Sequence, residues 1–492
     1  MKKVSGVKSE ETKNINVLFA ASESQPFYST GGLSDVCYSL PRFIKKTYKQ
    51  IDIRVILPLY GNLAEEYKKD LKFVGSTYIN LAWRREYCGV FEYTYKGMKY
   101  YFIDNERYFK RDSNLYGYDD DGERFAFFSK AVLESLNIID YDVDVIHCND
   151  WQTSLVPVFL KTGVFFGEKY SKIKTVFCIH NIAYQGRFNL NVTTDLLGLD
   201  KRYQSVLEYD KDANFMKGGV LCADKILTVS PTYAEEIKTS EYANGLDKII
   251  RENSYKISGI LNGIDEETNN PKTDPVVYKN FDKNTLEDKK ENKRMLQREF
   301  GLSEDENAPM LAVVARFPNH KGIDLIKATM EKFIVEGGVQ FVAVGEGEKE
   351  FEDYFKYLNS KYPRQAHISL GFSREIGKKI YAASDIYLMP SKSEPCGLSQ
   401  MVASRYGSVP IVRETGGLKD SIKDFGCEGG GNGYTFNRYD VGDFEYSVWR
   451  ALNDFKDKAE WRKKVLIVMN KDFSWKKTAS AYKDIYESLI RE

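Results

Sequence analysis

Arg316 and Lys321 lie five residues apart in Ala315-Arg316-Phe317-Pro318-Asn319-His320-Lys321-Gly322, between an apolar run and a helical pattern. Two cations on such a loop, backed by a helix N-terminus, suit the neutralisation of a leaving diphosphate. The alternative is a solvated loop. Ser29-Thr30-Gly31-Gly32-Leu33-Ser34-Asp35 sets two glycines at a strand-to-helix junction. Backbone N–H groups exposed there bind a diphosphate, or the glycines simply make a tight turn. His147-Cys148-Asn149-Asp150-Trp151-Gln152 closes another apolar run. Asp150 and Trp151 read either as a ligand for sugar hydroxyls with a stacking ring, or as a helix cap with a core ring. His180 closes a third run in His180-Asn181-Ile182-Ala183-Tyr184-Gln185-Gly186. A fourth run leads into Pro390-Ser391-Lys392-Ser393-Glu394-Pro395-Cys396-Gly397-Leu398-Ser399-Gln400. Cys396 has no evident activating partner, so it reads as a small packed residue and not as a nucleophile. Phe372, after the strand-like His367–Gly371, reads as a stacking ring for a nucleobase or as a core ring.

These segments need rigid elements to hold them. Val17–Ala21, Val55–Leu59, Val143–His147, Thr175–His180, Lys225–Val229, Met310–Ala315, Phe341–Val344, Ile386–Met389 and Val409–Val412 are short, Val/Ile-rich and mostly not alternating. That pattern predicts strands buried on both faces of a parallel sheet. Helical patterns fall between them at Leu33–Tyr48, Glu123–Ser135, Pro231–Lys238, Gly322–Glu336 and Gly377–Ala383. Repeated β-α units imply an α/β protein of two doubly wound, Rossmann-like parallel-sheet domains facing an interdomain cleft. The polar stretch Asp265–Asn292, with Pro271 and Pro275, is the expected boundary, giving domains at 1–264 and 265–470. Thr30-Gly31-Gly32-Leu33-Ser34-Asp35 returns as Thr415-Gly416-Gly417-Leu418-Lys419-Asp420. The echo is either a shared type of site or chance recurrence of a glycine turn. No dinucleotide or Walker fingerprint stands where one is needed, which sets hydride transfer and NTP hydrolysis aside.

Lys+Arg and Asp+Glu both number 71 among 492 residues, so no excess of positive charge favours nucleic acid or an anionic membrane. No stretch approaches the ~20 apolar residues of a membrane helix, and the polar N-terminus lacks the apolar core of a signal peptide. The 7 scattered cysteines read as reduced thiols of a cytoplasmic protein. Asp119-Asp120-Asp121 reads as a solvated acidic loop.

These motifs together resemble the bacterial glycogen synthase and plant starch synthase family, from Asn16 to about Leu489. The match is closest in His-Asn-x-Ala-Tyr-Gln-Gly, in Gly259-Ile260-Leu261-Asn262-Gly263-Ile264-Asp265 and in Glu-Pro-Cys-Gly-Leu-x-Gln. The resemblance implies the retaining two-domain fold called GT-B, with a closing helix at 471–492 crossing back to the first domain. It implies transfer of glucose from ADP-glucose to the non-reducing end of an α-1,4-glucan (glycogen, starch or a maltooligosaccharide). No metal or other cofactor is expected, and no nucleic-acid or membrane partner. It carries His180, Glu394, Arg316, Lys321 and Asp150 over as catalytic candidates. Ser29, Gly31, Gly32, Asp35, Asn262, Phe372, Cys396, Gly397, Leu398, Thr415 and Gly416 become donor-binding candidates, and Trp151 and Tyr184 acceptor-binding ones. One position departs from the pattern: Ser29 stands where the family has lysine, which removes a cation near the donor. The alternatives are therefore a catalytically weakened glucan-binding paralogue, or a synthase that uses UDP-glucose.

Overall fold

The computed structural model describes residues 14–111, 114–165, 167–371 and 373–491, so Phe372 lies outside the described residues. The chain forms two compact units. The first holds the described residues up to Leu227, then Asn244–Ile257, then the residues from Thr478 onward. The second holds Thr228–Ala243 and Ser258–Lys477.

In chain order the first unit contains β1 (Ile15–Ala20), β2 (Ile51–Pro58), β3 (Lys72–Leu81), β4 (Arg84–Tyr95), β5 (Met98–Asp104), β6 (Val145–Asn149) and β7 (Lys174–Ile179). It continues with β8 (Arg187–Asn189), β9 (Glu208–Tyr209), β10 (Asp212–Asn214), β11 (Lys225–Thr228) and β12 (Ile257–Gly259), where the chain leaves the unit. Its main sheet runs β12-β11-β7-β6-β1-β2-β5-β4-β3, and β8-β10-β9 form a small antiparallel sheet. β1 pairs in parallel with β2 on one side and β6 on the other. The strand order therefore reverses beside β1, and loops leaving the carboxyl ends of the strands diverge there to open a crevice. β1 is buried at every position but Asn16, because it is covered on both faces and paired on both edges. The helix Gly32–Thr47 that follows lays Val36, Cys37, Leu40 and Ile44 on one buried face. At the other end of the chain, Tyr486 of the helix Ala479–Arg491 reaches His147 in β6, 2.8 Å from its Nδ1.

The second unit contains β13 (Met310–Val314), β14 (Gln340–Gly345), β15 (Ala366–Leu370), β16 (Ile386–Met389), β17 (Val409–Arg413) and β18 (Tyr434–Phe436). They pair in parallel in the order β15-β14-β13-β16-β17-β18. This is the Rossmann order 3-2-1-4-5-6, with its switch point between β13 and β16. Leu311, Val313, Phe341, Ala343, Ile386, Leu388 and Ile411 from these strands meet Ile326, Met330, Phe333, Phe355 and Val448 from the helices in one core.

Each of the nine apolar runs became a strand, and the five helical patterns became helices within a few residues at each end. Two expectations are corrected. The units exchange chain at Leu227/Thr228, Ala243/Asn244, Ile257/Ser258 and Lys477/Thr478, not at 265. Asp265–Asn292 is polar because its side chains anchor the second unit: Asp274 is buried, pairs with Lys378 at 2.8 Å and accepts from Tyr406 Oη at 2.5 Å. The acidic run is solvated only in part, with Asp119 exposed. Asp120 pairs with Arg111 at 2.5 Å, and buried Asp121 neutralises fully buried Arg124.

Candidate active site

Two clusters stand at the switch points, one in each unit.

In the first unit, the loop after β1 carries Glu23 and Thr30 to the start of the sixteen-residue helix Gly32–Thr47. Glu23 Oε2 accepts from the Thr30 amide at 2.7 Å and its hydroxyl at 2.8 Å. This clamp fixes the turn that leads into the helix. The amides of Gly31, Gly32 and Leu33 then meet no acceptor among the described residues. A Cβ at Gly31 would meet nothing within 4 Å, so packing does not require glycine there. Open space over unpaired helix-terminal amides suits an anion. Asp35 Oδ1 accepts from Gln25 Nε2 at 2.8 Å in the first turn. Ser29 is exposed, bonds Ser34 Oγ at 2.7 Å, and lines with Thr30, Asn62, Asn114, Leu115 and Tyr116 a cavity of about 360 Å³.

The loops after β6 and β7 meet beside this turn's sheet. Asp150 has φ +54°, a strained value for a non-glycine residue, and its carboxylate does not cap the helical turn that follows. Oδ1 instead accepts from the amides of His180 at 2.7 Å and Asn181 at 3.3 Å. Burial pushes Asp150 up to about 7 despite these two bonds. His180 is half-buried, with Nε2 2.9 Å from Asn149 Oδ1. Asn149 Nδ2 donates to Ala20 O, so its Oδ1 is an acceptor and His180 Nε2 carries the proton. Burial holds the His180 pKa near 3, so the ring is neutral and Nδ1 presents a lone pair. Such a nitrogen accepts a hydroxyl proton.

Trp151 turns into the core. It is 8% exposed and packs against Phe125, Phe188 and Phe215, with ring centroids 5.1, 5.7 and 6.4 Å away. Tyr184 is 52% exposed and remains available to a sugar. His147 is fully buried against Phe19, a core ring.

In the second unit, the loops after β13 and β16 carry the charge. Lys321 Nζ lies 2.5 Å from Glu394 Oε2, and Ser391 Oγ donates to the same oxygen at 3.3 Å. Glu394 is 6% exposed. Arg316 is exposed and has no ion-pair partner among the described residues. Burial lowers the His320 pKa, and the Lys321 cation lowers it further, with Arg316 adding to the effect against Glu394. Gly397 and Leu398 are half-exposed residues whose amides meet no acceptor among the described residues. Gly397 needs its glycine: φ is +69°, and a Cβ would come 2.6 Å from Gln400 Oε1.

Four donor-binding candidates point inward instead. Cys396 is buried, bonded to Asn262, and pushed by burial to about 12, so it is a neutral thiol. Asn262 is buried beside it. Thr415 Oγ1 and the Gly416 amide both donate to Glu236 Oε1 at 2.9 Å, which leaves neither for a ligand.

Glu23 and Glu236 escaped sequence reasoning because each is a lone glutamate outside any chemical pattern. The signal was the Thr-Gly-Gly echo, whose threonines both need an acceptor. Burial pushes Glu23 up to about 7, with Asp35 and Asp150 adding to the rise. A carboxyl raised this way keeps its proton in the folded state to about pH 7, while the unfolded chain releases it near its ordinary value of 4.5. Its contribution is therefore present below about pH 4.5 and lost as pH rises through about 7, by up to roughly 3 kcal/mol. Glu23→Gln keeps the acceptor oxygen but cannot titrate. The fall in melting temperature between pH 5 and pH 8 should be smaller in this variant than in the parent; parallel falls would disprove the assignment.

Residues 16–252 match the family model of the starch synthase catalytic domain, and residues 297–465 match that of glycosyl transferases group 1. The chain is 45% identical to a glycogen synthase of Clostridium novyi (strain NT), over 97% of this chain and 100% of that one. It is 44% identical to one of Anoxybacillus flavithermus, over 97% and 98% of the two chains. The catalytic domain of starch synthase IV from Arabidopsis thaliana, solved bound to ADP and acarbose, matches with a TM-score of 0.88 at 31% identity, covering 98% of this chain and 100% of that one. Sucrose-phosphate synthase from Thermosynechococcus elongatus, at 16% identity and a TM-score of 0.59, shares the fold. The fold is that of the GT-B glycosyltransferases, and the chain, a glucosyltransferase, belongs to the glycogen synthase and starch synthase family.

Proposed function

We propose that this enzyme transfers glucose from ADP-glucose to the non-reducing 4-hydroxyl of an α-1,4-glucan, with retention at C1, in the cytoplasm. The observation that carries the reading is the second switch point. There the Lys321–Glu394 pair, unpaired Arg316 and the free amides of Gly397 and Leu398 occupy adjoining loops. Cations and amides so grouped suit a departing nucleoside diphosphate. ADP is supported by the ligand of the Arabidopsis starch synthase IV structure and by the bacterial glycogen synthases the chain resembles. The seven free cysteines, six of them buried, fit a reducing compartment.

Double displacement needs a carboxylate free to attack C1. Glu394 is tied to Lys321, and the position eight residues on is Val402. A same-face internal return needs no such nucleophile. The bond from C1 to the β-phosphate oxygen breaks and its electron pair leaves with ADP. The acceptor 4-oxygen bonds C1 on the face just vacated, and its proton passes to that phosphate oxygen. Arg316, Lys321 and the two amides hold the growing negative charge. In the first unit His180 Nδ1 offers an acceptor for a hydroxyl and Asp150 fixes the His180 loop; in the second the Glu394 carboxylate supports positive charge on the sugar. The scheme calls on no metal.

The test is transfer of labelled glucose to glycogen from ADP-glucose and UDP-glucose in parallel. ADP-glucose is expected to be the better donor. Ser29→Lys should lower the donor KM about tenfold, the worth of one charge-assisted contact of roughly 1.4 kcal/mol. Transfer from neither donor, with glycogen binding intact, would instead favour a weakened glucan-binding paralogue.

A further inference from the structure

The two Thr-Gly-Gly-Leu-x-Asp segments share a device, a buried or half-buried glutamate that accepts both a threonine hydroxyl and a backbone amide. They use it differently. In the first copy the clamp leaves helix-terminal amides free. In the second, the clamped loop lies directly on the backbone of Glu394-Pro395-Cys396. Gly417 N–H donates to the carbonyls of Glu394 at 3.2 Å and Pro395 at 3.1 Å. A Cβ at Gly416 would come 2.0 Å from Glu394 O, and one at Gly417 would come 2.2 Å from Cys396 O. No slack remains between the two loops, so movement of one displaces the other.

Glu236 ends the short helix Pro231–Glu236, which is pinned to the same region of the second unit. Ser230 Oγ donates to Pro395 O at 2.6 Å. The amide and hydroxyl of Thr232 donate to Asp420 Oδ2 and Oδ1 at 2.8 and 2.7 Å. The helix thus meets the Glu394 loop directly at Pro395, and through residues 415–420 at the glycines.

We propose that Glu236 is a positioning residue for Glu394: by holding Thr415 and Gly416 it fixes the loop that sets the Glu394 backbone, and so keeps the Glu394 carboxylate against Lys321. The proposal rests on the role given to Glu394 above. Glu236 itself touches no reacting group; it acts through the loop.

The experiment measures kcat and donor KM in the full-length enzyme. Glu236→Ala should lower kcat about 10- to 100-fold, the scale of misplacing a reacting group by about an ångström. Glu236→Gln keeps an acceptor oxygen and should stay within about threefold of the parent. Thr415→Val removes one of the two donors at constant volume and should lower kcat several-fold, which keeps the test available if Glu236→Ala does not fold. Adding Thr415→Val to Glu236→Ala should cost nothing further, because the alanine variant has already lost the contact that Thr415→Val breaks. Parental kcat in Glu236→Ala or in Thr415→Val overturns the proposal, as do additive losses or a Glu236→Gln as slow as the alanine variant. Parental kcat in Glu394→Gln overturns the reading beneath it. Loss in Glu394→Gln with none in Glu236→Ala overturns the positioning role alone.

Discussion

Arg316→Ala is expected to lower kcat for glucosyl transfer by about 10²- to 10³-fold while leaving the melting temperature within a degree or two of the parent's. The two halves of that expectation have separate grounds. Arg316 is exposed, on a loop, and without an ion-pair partner among the described residues, so its removal breaks no ion pair of the fold. An exposed cation with no ion-pair partner among the described residues, on the loop after β13 next to the strand that leads to Glu394, has its use in a ligand. Removing one preorganised donor to developing negative charge costs on the order of 3–4 kcal/mol of transition-state stabilisation. Arg316→Lys keeps the charge but loses the planar fork that grips two phosphate oxygens, so it should recover only part of the loss. A mainly ground-state role would raise donor KM and spare kcat; the internal-return scheme requires kcat to fall. Turnover within twofold of the parent would remove Arg316 from the mechanism.

The central strands of both sheets were legible because strands buried on both faces read as unbroken apolar runs, and nothing else in the chain looks like them. β3 and β4 were not, since each is half-exposed and mixes aromatic with charged residues. The unit boundary was misplaced because composition reports solvent contact, while Asp274 shows that a polar stretch also forms when ionic anchors are buried. Among the candidate site residues, the positions of those at strand ends were legible. Arg316, Lys321 and Glu394 follow strand ends in Rossmann order, and strand ends at a switch point are where ligands bind. Residues whose role depends on which way they face were not. Trp151 and Cys396 stand in motifs as recognisable as that of Glu394, yet their side chains turn into the core. Direction is decided by packing partners such as Phe125 and Phe215, which lie far off in sequence. The Thr-Gly-Gly echo was the most ambiguous signal. It marked a shared clamp and not a shared ligand, since only the first copy opens onto space: a Cβ at Gly31 is unobstructed, while one at Gly416 would strike Glu394 O.

The Lys321–Glu394 pair allows structural and catalytic effects to be separated. Lys321→Met should lower both turnover and stability, because it leaves a carboxylate that is 6% exposed with, among the described residues, only Ser391 Oγ, at 3.3 Å, to bond it. Breaking a buried pair from one side costs about 3 kcal/mol, at the low end of the usual range because Lys321 keeps some solvent contact. Glu394→Gln should cost less stability, since Lys321 can turn its ammonium to water, and should cost more than tenfold in kcat. The double variant Lys321→Met/Glu394→Gln removes both charges together, so stability should return to near the parent's. Turnover should not return, because both the cation facing the leaving diphosphate and the carboxylate supporting the sugar are gone. Urea or thermal unfolding beside kcat reads the two effects independently. Recovery of both in the double variant would make the pair a structural tie and leave Arg316 and the Gly397–Leu398 amides to hold the diphosphate alone. Recovery of stability with turnover still lost is the outcome the charge arrangement requires, because a tie needs only neutrality while the reaction needs each charge in its place.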